Sequence, residues 1–183
     1  MAKGILQEVL RNNIVLVVTS SKDYQDTNLR IVKLLCNDKQ IPGIYVTCSR
    51  PYKHITDIMR QRRVALDRIF FIDMITKTLD ECSCKEQNCL YLQSPKALTE
   101  LSIALGQVVD AIDYDDKFLY LDSFSTLLVY NEAGTMMKFI HFLTGKIRMW
   151  GIKGIVITLE KETSEQMLTH ISQFVDKVLW VKN

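Results

Sequence analysis

Ile14-Val15-Leu16-Val17-Val18-Thr19 runs directly into Ser20-Ser21-Lys22-Asp23-Tyr24-Gln25-Asp26-Thr27-Asn28. The first stretch is an unbroken apolar run rich in β-branched residues, the pattern of a strand covered on both faces. Asp26 or Thr27 then opens a helix to about Asp38, with Leu29, Val32 and Cys36 on one stripe. A strand–turn–helix of this kind is where a nucleotide-binding α/β protein carries its glycine-rich phosphate loop. Residues 20–28 contain no glycine, and Asp26 stands where a phosphate-binding lysine is needed.

Outward from this segment, strands and helices alternate. A short helix is predicted over residues 2–11. Pro42-Gly43 breaks the chain before a strand at 44–48, and Ser49 and Pro51 supply an N-cap and a first-turn proline for a helix to about Gln61. A third strand, residues 68–72, ends at Asp73. Residues 74–94 read as a loop insertion. A helix from Ser94-Pro95 to about Ile112 precedes a fourth strand at 117–121. A short helix follows Ser123, and a longer one covers about 132–150. Strands at 154–159 and 177–181 flank a helix near 163–173. Strands separated by helices imply βαβ crossovers. The expected fold is α/β, a mainly parallel sheet flanked by helices in one three-layer domain spanning residues 1–183.

Composition narrows the functional classes. With 183 residues, 48% hydrophobic and 24% charged, the chain is of ordinary globular make-up. Its net charge of +2 gives no global field for nucleic acid or an acidic membrane. No apolar run approaches the roughly 20 residues that cross a bilayer, and the first residues lack a signal-peptide pattern, so a cytoplasmic protein is expected. The five cysteines imply no disulfide framework. Cys36 and Cys48 read as buried, inert thiols.

The order of elements and several short motifs resemble the RecA-like ATPase superfamily, in particular its KaiC and RadA-type branch. Ile44-Tyr45-Val46-Thr47 is similar to the strand after the phosphate-loop helix, and Arg50-Pro51 to the turn that follows it. Phe70-Phe71-Ile72-Asp73 resembles the next strand. Leu119-Tyr120-Leu121-Asp122-Ser123 resembles the Walker B strand, and Phe174-Val175-Asp176-Lys177-Val178-Leu179 the closing strand. The resemblance implies a RecA-like fold and an archaeal-type cytosolic setting. The departures lie in the chemistry. The family's Gly-x4-Gly-Lys-Ser/Thr loop places its lysine and hydroxyl at about Asp26 and Thr27, so the hydroxyl alone survives. A carboxylate in place of the lysine turns an attraction of about 4 kcal/mol, at 4 Å and an effective dielectric near 20, into a comparable repulsion. The family's catalytic glutamate falls at Cys48-Ser49-Arg50, where no carboxylate occurs.

The vestigial nucleotide-site positions are therefore Asp26, Thr27 and Asp122. Asp26 offsets the helix dipole, and Asp122 or Ser123 caps the helix after the fourth strand. The leading expectation is a non-catalytic pseudo-ATPase, a regulatory or scaffolding subunit without cofactor. It would bind itself, as a homo-oligomer, or an intact RecA/KaiC-type ATPase. Two other readings stay open. One is a nucleotide-binding ATPase or switch with an atypical phosphate loop, retaining Thr27 and Asp122. The other is a nucleic-acid adaptor using Arg60, Arg62, Arg63 and Arg68, although cations at a helix end also suit its dipole. Cys82, Cys84 and Cys89 form C-x-C-x4-C, three soft ligands without a fourth, which is incomplete for structural zinc; a solvated or redox-active loop fits as well. Met136, Met137, Phe139, Phe142, Met149 and Trp150 wrap around more than one stripe of their helix, suggesting core on two sides or a partner face.

Overall fold

The computed structural model describes residues 2–79 and 85–181. Seven strands form one sheet: β1 (Ile14–Thr19), β2 (Gly43–Thr47), β3 (Ile69–Asp73), β4 (Cys89–Tyr91), β5 (Phe118–Asp122), β6 (Lys153–Leu159) and β7 (Lys177–Val181). Their spatial order is β4-β3-β2-β5-β6-β1-β7, and every neighbouring pair is parallel. Parallel strands need crossovers, and the helices supply them. These are α1 (Ala2–Arg11), α2 (Tyr24–Lys33), α3 (Tyr52–Gln61), α4 (Thr76–Leu79), α5 (Leu98–Ala111), α6 (Phe124–Tyr130), α7 (Ala133–Trp150) and α8 (Glu165–Ser172).

Alternation along the strands divides the core in two. Val15, Val17, Tyr45, Phe71, Tyr120 and Ile155 point to the layer made by α1, α2 and α3. Ile14, Leu16, Val46, Ile72, Leu121 and Val156 point to the layer made by α5, α6, α7 and α8. All residues of β1, β2 and β5 are buried, which explains why these strands read as continuous apolar runs. Gly43 is required by packing: a Cβ there would lie 2.4 Å from Cδ1 of Phe118.

Several elements differ from the sequence expectation. Helix α2 begins at Tyr24, before Asp26, and beyond Lys33 it widens into a π-turn, with the Lys39 N–H bonded to the Leu34 carbonyl at 2.9 Å. The stretch 74–94, read as a loop, carries α4 and the edge strand β4. Three residues are too few to show a period, and β4 is a strand because Phe71, Ile72 and Asp73 pair with Cys89, Leu90 and Tyr91. Ser49 does not cap α3, whose cap position is Pro51; the Tyr52 N–H instead donates to Oδ2 of Asp73 at 2.6 Å. Ser123, not Asp122, caps α6, accepting from the Thr126 N–H at 3.2 Å. Asp122 itself belongs to β5.

Candidate functional site

In an open α/β sheet, ligands bind beyond the carboxyl ends of adjacent strands whose connections leave on opposite faces. Here those strands are β2, which leads into α3 on one face, and β5, which leads into α6 and α7 on the other. Thr47 and Asp122 stand directly opposite each other at their carboxyl ends.

The position over Asp122 is occupied by the protein's own side chains. Tyr45 and Tyr120 are register partners whose rings stack with centroids 5.2 Å apart and planes within 5°. The Tyr45 hydroxyl donates to Oδ2 of Asp122. Asn28, in the second turn of α2, donates from Nδ2 to the same oxygen at 2.9 Å, and its Oδ1 lies 3.1 Å from the Tyr45 hydroxyl. Asn28, Tyr45 and Asp122 are 3%, 0% and 1% exposed, so the triad is closed to solvent.

Desolvation dominates the electrostatics of this triad. Burial pushes the Asp122 carboxyl up to about 8. Burial, then the neighbouring Tyr120, pushes the Tyr45 phenol well above its ordinary range. The Tyr120 phenol is likewise raised by burial. Neither Oδ1 of Asp122 nor the Tyr120 hydroxyl is hydrogen bonded to a described residue. Burial thus shifts the Asp122 carboxyl toward its neutral form, and its Oδ2 is held as an internal hydrogen-bond acceptor.

The connection from β1 to α2 is closed on itself. Ser20 Oγ donates to Oδ2 of Asp23 at 2.8 Å, and the Asp23 N–H lies 3.3 Å from Ser20 Oγ. The Tyr24 N–H returns to the Ser20 carbonyl at 3.0 Å. Left-handed backbone occurs among the described residues at Gln40, Arg63 and Gly151, none of them in this turn. Asp26 faces solvent in an ion pair with Arg30 at 2.6 Å. Thr27 is buried. Of the three vestigial positions, only Asp122 joins the triad; its partner from α2 is Asn28, the residue after Thr27.

The other predicted groups lie apart. Arg60, Arg62 and Arg63 end α3 and Arg68 precedes β3, so all four lie at the edge of the sheet opposite Asp122. Arg60 pairs with Asp57 at 2.8 Å, and Arg68 donates to the Gln40 carbonyl at 3.1 Å. Cys82 and Cys84 lie outside the described residues. Cys89 is buried as the first residue of β4; burial, then the Asp73 carboxylate, raises its thiol to about 12. Among the described residues, no group of three or more His, Cys, Asp or Glu is placed to hold a metal ion, and no helix is long and apolar enough to cross a membrane.

The roles of three residues at this edge, Asn28, Tyr45 and Asp73, escaped the sequence reading. Asp73 Oδ1 accepts from the N–H groups of Ile75 and Thr76, both at 2.8 Å, and Oδ2 accepts from the Tyr52 N–H and the Thr76 hydroxyl. The available signal was chemical: tyrosines inside fully apolar strands need hydroxyl partners.

Comparison with known proteins agrees with this architecture. No curated protein matches the chain. Among solved structures it is similar to the KaiC-like protein PH0186 from the hyperthermophilic archaeon Pyrococcus horikoshii OT3. The TM-score is 0.67 at 13% identity, covering 93% of this chain and 72% of that one. The fold is RecA-like α/β. A family model matches residues 13–181, and the chain belongs to that family, a family of unknown function (DUF7504).

Proposed function

We propose that this protein is a pseudo-ATPase, a non-catalytic relative of the KaiC-like ATPases that works as a regulatory or scaffolding subunit through protein contacts. The observation that carries this reading is the sealing of Asp122 beneath Asn28 and Tyr45. A carboxyl that holds a magnesium-bound water must be ionised and reachable, whereas this one is buried and shifted toward neutrality.

Two further features support it. The turn Ser20–Asp23 engages its own side chain and backbone groups, so those groups are not presented to a phosphate. Cys48-Ser49-Arg50, where the family's catalytic glutamate is expected, has no carboxylate, and Cys48 is fully buried, its thiol raised by burial and then by Asp73. The partner is a second copy or an intact RecA/KaiC-type ATPase, and the setting is cytoplasmic.

Titration calorimetry with ATP, ADP and GTP in the presence of magnesium tests this reading. No saturable heat and no turnover are expected. Saturable binding that is lost on Thr27→Ala replacement, or turnover by rigorously clean protein, overturns it.

A further inference from the structure

Helix α7 carries Lys138, His141, Lys146 and Arg148 and no acidic residue. Arg148 is paired with Asp176 at 2.7 Å, and around Lys138 and Lys146 the solvent side is apolar: Phe142 is 48% and Met149 80% exposed. The Lys146 ammonium lies 5.7 Å from the Phe142 ring centroid and 6.0 Å from that of Trp150. Lys138, His141, Phe142, Gly145, Lys146 and Met149 line an open groove of about 400 Å³. The space over Gly145 is open, since a Cβ there would meet nothing within 4 Å.

Beside this groove the charge reverses. Asp110, Asp113, Asp115 and Asp116 cluster at the carboxyl end of α5 around Tyr114, which is 59% exposed. Acids at a helix carboxyl terminus add to the negative end of its dipole. None of these four forms an ion pair among the described residues. The adjacent cation, Lys117, is turned to the Val109 carbonyl at 2.8 Å. The two features are neighbours. Trp150 packs over Gly106, where a Cβ would lie 4.0 Å from the indole. The segments that follow the two helices are also joined, by the Lys153 N–H to the Lys117 carbonyl at 2.9 Å.

We propose that Tyr114, flanked by Asp113 and Asp115, docks into the Phe142–Met149 groove of a second copy of this chain to form a two-fold homodimer. An aromatic anchor entering an apolar groove suits such an interface, and the flanking carboxylates meet Lys138 and Lys146. Because the basic groove and the acidic segment lie side by side, a two-fold axis between them sets each against its complement twice. The inference rests on the protein-contact reading above and specifies its homo-oligomer.

Sedimentation equilibrium on the full chain tests it. A dimer is expected at micromolar concentration, weakening as salt rises from about 0.05 to 0.5 M because exposed charge pairs are screened. Gly145→Glu, at a position open to solvent, and Asp115→Lys are each expected to weaken the dimer by about tenfold or more. Combining Asp115→Lys with Lys146→Asp is expected to restore it, with thermal melts checking that every variant is folded. A chain monomeric under all conditions, or a dimer indifferent to both single substitutions, overturns the proposal. So does a monomer that holds a different protein on this groove. A dimer indifferent to the substitutions removes this surface but leaves the protein-contact reading standing. A saturable nucleotide site removes that reading without bearing on the dimer.

Discussion

Asn28 of α2 donates to Oδ2 of Asp122 at the end of β5, 2.9 Å apart in space and 94 residues apart in sequence. The contact ties the first crossover helix to the carboxyl edge of the sheet, with the Tyr45 hydroxyl bonded to the same oxygen. Its consequences are measurable.

The first concerns pH. Asp122 has a folded pKa of about 8 against an ordinary 3.8, raised by burial. Between these values the folded state holds a proton that the unfolded state has released. The contribution is therefore full below the unfolded value and is lost as pH rises through about 8. The wild-type protein is expected to lose up to about 1.4 kcal/mol per pH unit from this group within that window. Asp122→Asn, neutral at every pH, is expected to flatten the slope. Urea unfolding of both proteins from pH 5 to pH 9 checks it; parallel curves would sink the assignment.

Replacing Asn28 by Asp sets a second carboxyl against Asp122 in a site closed to solvent. The two cannot both ionise cheaply. A loss of about 2–4 kcal/mol is expected at pH 7, shrinking toward pH 5 as the pair takes up protons. Urea midpoints at the two pH values decide it.

Tyr45→Phe removes the hydroxyl while keeping the ring stacked on Tyr120. The remaining cost is the unmet polar demand on Asn28 and Asp122, about 1–3 kcal/mol. An unchanged denaturant slope alongside the lower midpoint would locate the effect in the folded state.

Asp73 joins the starts of α3 and α4 through the backbone N–H groups of Tyr52, Ile75 and Thr76. Asp73→Ala leaves these donors without their acceptor and is expected to cost about 2–4 kcal/mol, roughly two helix caps. Hydrogen exchange should accelerate first at those three amides. Uniform acceleration across the sheet instead would contradict a local capping role.

Gly43 and Gly134 give an opposed pair. Gly43→Ala drives a methyl group into Phe118, 2.4 Å away, and is expected to destabilise by about 1–3 kcal/mol or more. Gly134→Ala, in α7 with open space around it, is expected to be neutral or stabilising by up to about 1 kcal/mol. Melting temperatures of the two variants provide the comparison.

Much of the fold was legible in local pattern. The apolar run at 14–19 read as a strand buried on both faces and 117–121 as a fourth strand, and the alternation of strands with helices implied a parallel sheet. Strand β4 was not legible, because Cys89-Leu90-Tyr91 has no strand signature until β3 lies beside it. The cap on α3 was misplaced for a similar reason. Ser49 stands at a plausible sequence distance, but the acceptor comes from Asp73, 21 residues beyond Tyr52. The exposed side of α7 was foreshadowed by its surplus of apolar residues, although which of them face solvent depended on where α5 and α8 packed.

By itself the amino-acid order determined the alternating elements, the parallel sheet, the absence of glycine from residues 20–28 and the aspartate at position 26. These follow from periodicity and residue chemistry, which act over a few neighbouring positions. Only the tertiary structure decided what Asp122 became. Strand order places Tyr45 across from Tyr120, and the path of α2 lays Asn28 over the same spot. Burial then sets the charge of the carboxyl, and burial belongs to the packed molecule rather than to any stretch of chain.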